Sequence, residues 1–140
     1  MKSNRSVLRK SAVILALTVA AVLFLPETLF AKGAVIGYAP GHNNKPAPSA
    51  AQLDRLTHVM AFSLQTNSNG TLDTSTVPSW LSTLVTNAHA KGVKVSISVG
   101  GGDGRSANFA SATNSTYRGD FVNNIANFVE LYKLDGVDIN

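Results

Sequence analysis

The chain has 140 residues, of which 44% are apolar and 14% are charged, and this composition predicts a globular domain with a packed core rather than a disordered chain. The formal net charge of +4 arises in the first ten residues, and from Lys32 onward eight basic residues face seven acidic ones, which argues against nucleic acid as a partner. The absence of cysteine excludes disulfides, cysteine nucleophiles and thiolate metal sites.

The first predicted segment is a secretory signal peptide over residues 1–31. Four basic residues in the first ten precede an apolar run over residues 12–25, and a cleavage site is expected after Ala31. The run is shorter than the roughly 20 residues that a membrane-spanning helix needs. We therefore expect a secreted protein whose folded domain covers residues 32–140, without a stable membrane partner after cleavage. An uncleaved N-terminal anchor is the alternative.

The segment that follows begins with two predicted strands. Residues 34–38 predict a buried strand, which runs into a loop rich in proline, glycine and asparagine. Ser49 is a candidate N-cap for a short helix that ends near Leu56, and residues 57–64 predict the second strand. The polar stretch over residues 65–76 is expected to form a loop.

The clearest helical pattern covers residues 77–88. Its apolar residues form one stripe, with Pro78 in the first turn and Gly92 just beyond the end. Residues 93–99 predict the third strand, and a glycine-rich loop over residues 100–104 follows it.

A second apolar stripe, from Phe121 to Tyr132, predicts a further helix, and residues 136–140 predict the fourth strand. Strands and helices therefore alternate along the chain. Such alternation indicates a parallel sheet with crossover helices, either a doubly wound sheet or a (β/α)8 barrel.

Polar side chains share one face of the predicted fourth strand. Alternation puts Asp138 and Asn140 on this face and Val137 and Ile139 on the other, and the third strand repeats the pattern with Ser98 on its polar face. Two strands with polar inner faces favour a barrel, although the edge strands of an open sheet can look similar. Taken singly, such a serine is more often a satisfied core hydroxyl and such an aspartate a cap.

Spacing argues against cofactor and metal sites. The glycine-rich loop over residues 100–104 is followed by Arg105, where the dinucleotide-binding pattern needs its last glycine. His42, His58 and His89 lack the spacing of metal ligands. We therefore expect neither a cofactor nor a metal.

Two segments carry recognisable motifs: residues 94–101 are KVSISVGG and residues 135–140 are DGVDIN. They resemble the S-x-G-G motif on the third strand and the opening of the D-G-x-D-x-D-x-E motif on the fourth strand of glycoside hydrolase family 18, the chitinase-like family. Residues 34–38 (AVIGY) and the segment from Arg118 to Phe128 give weaker matches. The resemblance implies an α/β fold, a (β/α)8 TIM barrel of which the chain covers about the first four strands.

By this resemblance, the full-length parent hydrolyses β-1,4 bonds of N-acetylglucosamine polymers, such as chitin, with retention of configuration. The family is substrate-assisted, because the acetamido oxygen of the sugar attacks the anomeric carbon while a single Glu protonates the leaving oxygen. The resemblance implies a catalytic set of Asp135, Asp138 and Asn140, with the acid itself at position 142. It also implies that Tyr38 and Ser98 support Asp138 through hydrogen bonds.

The same resemblance makes Gly100 and Gly101 candidate substrate-binding residues, which would leave room for sugar at the end of the third strand. The implied partners are chitin or other glycans that contain N-acetylglucosamine.

The sequence departs from the family motif at Asn140, where the family usually has Asp. Because an amide can neither take up negative charge nor exchange a proton, we expect a slower enzyme or a sugar-binding relative. The acid at position 142 lies beyond Asn140, so we expect the 140-residue chain itself to be inactive, and its open half barrel to expose strand edges. Two alternatives stay open: a lectin-like sugar-binding protein on the same barrel, and a non-catalytic α/β domain with accidental motifs.

Overall fold

The computed structural model describes residues 33–140, in which four strands form a parallel sheet. In chain order the strands are β1 (Ile36–Pro40), β2 (His58–Thr66), β4 (Lys94–Val99) and β5 (Gly136–Ile139), and their spatial order is the same. A two-residue strand, β3 (Leu72–Asp73), pairs antiparallel with the end of β2. The predicted signal peptide lies outside the described residues.

Helices connect the parallel strands, as the alternating pattern predicts. They are α1 (Ala50–Leu53), α2 (Leu81–His89), α3 (Phe109–Ala112) and α4 (Arg118–Leu131). Short 3-10 turns at His42–Asn44 and Thr74–Thr76 precede α1 and α2. Within residues 33–140, no helix is both long enough and apolar enough to cross a membrane.

The predicted cap of the first helix is confirmed, but the helix is shorter than expected. The Ser49 hydroxyl accepts a hydrogen bond from the Gln52 N–H, and the Gln52 side chain accepts one from the Ser49 N–H at 2.8 Å. This reciprocal capping box satisfies two N–H groups that a helix start otherwise leaves unpaired. The helix ends at Leu53 rather than near Leu56, and a single turn continues from it.

The prediction of a plain loop over residues 65–76 is wrong, because this stretch forms a small hairpin. The Asn67 N–H donates to the Thr71 carbonyl at 2.8 Å, and the Thr66 hydroxyl donates to the same oxygen at 3.1 Å. Gly70 adopts a φ of 81°, a conformation that glycine accepts without steric cost. Polar residues can pair through the backbone without leaving an apolar pattern in the sequence.

Two helix boundaries also differ from the sequence pattern. Helix α2 begins at Leu81 rather than residue 77, because Pro78 lies in a turn that precedes the helix. The Pro78 carbonyl accepts a hydrogen bond from the Leu81 N–H at 2.9 Å. Its end is as predicted, since Gly92 follows with a φ of 69°. The four-residue helix α3 was not predicted, because a single turn is too short to show a helical stripe.

One face of the sheet forms the core with the helices. The side chains of Val95, Ile97 and Val99 on β4 are fully buried. Each such side chain stabilises the fold by about 1.5–3 kcal/mol relative to an exposed position. Four residues of α2 pack on this core: Leu81, Leu84, Val85 and Ala88.

The edge strand β5 is only partly covered. Val137 and Ile139 lie on the face opposite Asp138, as predicted, but they are 39% and 58% exposed within the described chain. Strand β5 therefore presents an apolar side and the polar side that carries the candidate site.

Candidate functional site

The polar face of the sheet brings together residues from its first and last parallel strands. The Tyr38 hydroxyl on β1 donates a hydrogen bond to Oδ2 of Asp138 on β5, at 2.9 Å and across 100 positions of sequence. Three strand intervals separate β1 from β5, which on a flat sheet amounts to about 14 Å. Side chains stand roughly perpendicular to a sheet, so the bond requires the sheet to curve toward this face, as a barrel does.

The carboxylate of Asp138 favours the protonated form of Tyr38. The hydrogen bond from the phenol to Asp138, together with the negative charge of that carboxylate, raises the pKa of Tyr38 above its ordinary value of 10.0. Tyr38 therefore stays a protonated donor throughout the physiological pH range. One carboxylate oxygen is occupied by this donor, and the other can meet a ligand.

Ser98 and Asn140 complete the group on this face. Ser98 is fully buried and pairs in register with Asp138. The side-chain amide of Asn140 donates to the Ser98 hydroxyl at 3.5 Å, the outer limit for such a bond. The four predicted residues thus form two hydrogen-bonded pairs, Tyr38 with Asp138 and Asn140 with Ser98. Among the described residues no hydrogen bond joins the Ser98 hydroxyl to Asp138, the bond that the family resemblance implied.

The main chain, rather than the side chain, fixes Asn140. Its carbonyl accepts hydrogen bonds from the Ser106 hydroxyl at 2.7 Å and from the Gly101 N–H at 3.0 Å. The same Ser106 hydroxyl accepts from the Gly101 N–H at 2.8 Å. Ser106 therefore fastens the glycine-rich loop to the end of β5, a role that sequence reasoning missed because 34 positions separate Ser106 from Asn140.

The two candidate substrate-binding glycines make close contacts with protein atoms. Gly100 has a φ of 86°, and a Cβ there would lie 2.7 Å from the Asn140 carbonyl oxygen. Gly101 has a φ of 118°, and a Cβ there would lie 2.6 Å from the Phe62 ring. The structure therefore explains these glycines by packing and backbone conformation, and their contact with sugar stays a prediction.

Asp135, the third residue of the predicted catalytic set, lies apart from the others. It precedes β5, whereas Asp138 and Asn140 lie toward the carboxyl end of that strand. One of its carboxylate oxygens lies 2.8 Å from Nε2 of His89 and accepts the Val95 N–H at 2.7 Å. Asp135 stands three positions before Asp138, and because side chains alternate along a strand, this odd spacing could have indicated the separation. The sequence analysis grouped the two residues by their shared motif instead.

The surroundings of Asp135 favour its charged form. Desolvation by itself would raise the pKa of Asp135, but the hydrogen bond from the Val95 N–H and the neighbouring His89 imidazole together lower it below the ordinary value of 3.8. This carboxylate joins the end of α2 to the start of two strands. Its contacts are those of a structural clamp.

An aromatic residue that the sequence analysis did not single out also lies on the polar face. Phe62 on β2 pairs in register with Ser98. The Arg105 guanidinium lies 5.4 Å from the centre of the Phe62 ring. The centres of the His42 and Phe62 rings are 6.1 Å apart, in an edge-on arrangement.

Within residues 33–140, no group of three or more His, Asp or Glu side chains is arranged to hold a metal ion.

Comparison with known proteins gives a family match over nearly all of the described residues. The model of the glycosyl hydrolases family 18 matches residues 34–140. A "chitinase-like effector" of Moniliophthora perniciosa is 36% identical over 109 residues, which are 74% of this chain and 25% of that protein. The chain thus spans about a quarter of the length of this curated relative.

Solved structures show the same architecture. A chitinase from Bacteroides thetaiotaomicron superposes with a TM-score of 0.63 at 29% identity, covering 76% of this chain and 34% of the other. A chitinase from Rhizomucor miehei gives 0.66 at 27% identity, covering 76% and 28%. These matches confirm the predicted fold class: the parallel strands and their helices are part of a (β/α)8 barrel.

Proposed function

The chain belongs to the glycosyl hydrolases family 18, and from this premise we propose that its parent protein is a chitinase-type hydrolase. The substrate is a glycan of N-acetylglucosamine, such as chitin, bound on the face that holds Asp138 and Asn140. The observation that carries the proposal is the Tyr38–Asp138 hydrogen bond, which holds a carboxylate on the inner face of the curved sheet.

The proposed chemistry follows from the alternation of side chains along β5. In a chain that continues past Asn140 with the same alternation, position 142 projects from the same face as Asp138 and position 140. An acid at position 142 would donate its proton to the glycosidic oxygen while the acetamido oxygen of the sugar attacks the anomeric carbon and displaces the leaving sugar. Water would then attack the anomeric carbon, open the ring formed with the acetamido group and return a proton to the acid.

Each of the four predicted residues on this face has a separate task in this scheme. The free oxygen of the Asp138 carboxylate orients the acetamido group and favours the positive charge that develops on it. Tyr38 and Ser98 hold the carboxylate and the amide in place. Asn140 offers its side-chain oxygen to the acetamido N–H, but as an amide it adds no negative charge, so we expect slower turnover than with Asp at this position.

A second candidate function is sugar binding without hydrolysis. Asn140 favours it, since a site that only binds has no need of a second carboxylate. The name of the Moniliophthora perniciosa relative, a chitinase-like effector, points the same way. In this case the same face would hold the acetamido sugar, and bond cleavage would not follow.

Export is proposed on the sequence alone. The basic start and apolar run before residue 32 support cleavage after Ala31 and release outside the cell. N-terminal sequencing of protein collected from the culture medium tests this, and a mature form that begins at Met1 would contradict it.

Hydrolysis and binding can be separated by measuring both on the protein expressed from its complete coding sequence. Tetramers of N-acetylglucosamine serve as substrate, with product release followed by chromatography and affinity by calorimetry. Asp138→Asn is expected to lower the rate by about a hundredfold or more, as loss of a transition-state group does. Asp120→Asn, which removes an exposed carboxylate from α4, is the matched control and should leave the rate unchanged.

The outcomes distinguish the candidates. Hydrolysis that Asp138→Asn abolishes and Asn140→Asp accelerates supports the enzyme. Tight binding with no hydrolysis, even after Asn140→Asp, supports the sugar-binding protein. No affinity for the tetramer would overturn both proposals.

A further inference from the structure

A cavity of about 510 Å³ opens near the end of β2 and is large enough for a sugar unit. The loop after β1, the end of β2 and the segment before α2 form its walls, with Arg105 closing one side. Its lining includes five polar residues: Ser63, Gln65, Ser75, Thr76 and Ser79.

The charged side chains that line the cavity are positive. They are Lys45 and Arg105, and among the described residues no lining side chain is acidic. Arg105 pairs through Nη1 with Asp103, which is 90% exposed and lies outside the lining. Lys45 forms no ion pair within residues 33–140, so its charge is free to meet a ligand.

Trp80 gives the cavity a fixed aromatic wall. Its Nε1 donates a hydrogen bond to the Lys45 carbonyl at 2.8 Å, which both orients the indole and holds the loop that carries Lys45. The indole is half-buried and lines the cavity. An oriented aromatic ring offers an apolar surface on which the face of a sugar can stack.

Phe62 connects this cavity to the polar face of the sheet. It lies in register with Ser98, on the face that carries Asp138, and Arg105 of the cavity lies over its ring. Gly101, whose backbone contacts the end of β5, packs against Cε2 and Cζ of the same ring. A glycan that binds at Asp138 can therefore extend past Phe62 toward Lys45 and Arg105.

From this arrangement we infer that the cavity binds an acidic substituent of the glycan, a carboxylate or sulfate on a sugar next to the one held at Asp138. The inference rests on the proposed function, because it assumes that the acetamido sugar occupies the Asp138 face. Arg105 keeps Nε and Nη2 for the anion, and the ammonium group of Lys45 supplies a second charge. Trp80 stacks on the ring that carries the substituent.

The test compares three tetramers of equal length by calorimetry: neutral N-acetylglucosamine, the same with 3-O-lactyl ethers on alternate units, and the same with 6-sulfates. We expect an acidic tetramer to bind about tenfold more tightly than the neutral one, as one hydrogen-bonded charge pair allows. The preference should largely vanish in about 1 M salt, where the Debye length falls to about 3 Å.

The double variant Lys45→Gln with Arg105→Gln should reduce the preference to less than about twofold. A matched variant, Arg118→Gln with Lys133→Gln, also removes two exposed positive charges and should keep the preference of the parent protein. If only the lactyl ether or only the sulfate is preferred, that substituent is the ligand.

Failure of the inference differs from failure of the proposed function. Equal affinity for the neutral and acidic tetramers overturns the inference and leaves the proposed function standing. A preference that survives loss of Lys45 and Arg105 also overturns it, since the charge would then be recognised elsewhere. Absence of binding to every tetramer overturns both.

Discussion

The two ends of β5 hold their carboxylates in opposite ways. Before the strand, Asp135 has one oxygen engaged with both the Val95 N–H and the His89 imidazole. Toward its end, Asp138 meets a single donor, the Tyr38 hydroxyl. Two groups of the fold therefore hold the first carboxylate where α2 and β4 meet the start of β5, whereas one donor holds the second on the polar face of the sheet. Two aspartates of one motif can therefore serve stability and function separately.

The carboxyl end of β5 is instead held at the Asn140 carbonyl by the Gly101 N–H and the Ser106 hydroxyl, and a substitution in this loop gives the largest expected effect. Gly100→Ala would place a Cβ 2.7 Å from the Asn140 carbonyl oxygen at a φ of 86°. We expect a loss of about 3 kcal/mol in the free energy of unfolding, measured by urea denaturation, from strain and overpacking together. Gly102→Ala is the matched control, because nothing lies within 4 Å of its Cβ position. Equal losses in both variants would show that the loop is not fastened to β5.

The next effect compares the two carboxylates directly. Asp135→Ala leaves the N–H of buried Val95 without its carboxylate acceptor and should cost about 2 kcal/mol. Asp138→Ala removes a contact with an exposed tyrosine and should cost less than about 0.5 kcal/mol. Urea unfolding of both variants at neutral pH measures the difference. A loss for Asp138→Ala as large as that for Asp135→Ala would contradict the assignment of Asp135 to stability and of Asp138 to function.

The sequence was sufficient to predict which strand residues share the inner face of the sheet, because side chains alternate along a strand. A period of two along the strands, joined to the glycoside hydrolase motifs, indicated the inner-face positions of Tyr38, Ser98, Asp138 and Asn140. Motif membership alone grouped Asp135 with Asp138, although their opposite parity separates them. The alternation of strand and helix patterns predicted parallel strands, and the family resemblance then favoured the barrel over a doubly wound sheet.

Contacts between distant segments could not be predicted in the same way. Ser106 reaches the end of β5, and Arg105 reaches the Phe62 ring, only because the loop after β4 folds back over the sheet. Neither contact leaves a periodic signal. The hairpin that contains Thr66 and Thr71 is held by backbone hydrogen bonds among polar residues, so its sequence resembles an ordinary loop.

Acid should reduce the contribution of Asp135 to the free energy of unfolding. Because the folded-state pKa of Asp135 is lowered below 3.8, its contribution to stability is fully present above the ordinary pKa and is lost as the pH falls through the lowered one. The free-energy gap between the parent protein and Asp135→Ala should therefore be constant above about pH 5 and shrink below it. Asp135→Asn, which keeps an acceptor for the Val95 N–H, should show a smaller gap at neutral pH. A gap that widens in acid would contradict the assigned contacts.

The smallest effect concerns the ionisation of Tyr38 and reports on Asp138 without involving stability. The phenol titrates above its ordinary pKa of 10.0 because it donates to Asp138 and faces the charge of that carboxylate. Asp138→Ala removes both causes and should return the pKa of Tyr38 toward 10.0, while Asp138→Asn, which keeps an acceptor but no charge, should return it part of the way. NMR titration of labelled tyrosine, with Tyr38→Phe to assign the signal, measures the shift.

Asp135→Asn is the matched control for this titration, because it changes a carboxylate that lies apart from Tyr38 and should leave the pKa of the phenol in place. If Asp138→Ala also left it in place, the phenol would not be bonded to that carboxylate in solution. The bridge between β1 and β5 would then be absent, and with it the geometric reason for assigning the free oxygen of Asp138 to a ligand. A shift confined to the Asp138 variants would instead tie the curvature of the sheet to the residue on which the proposed chemistry depends.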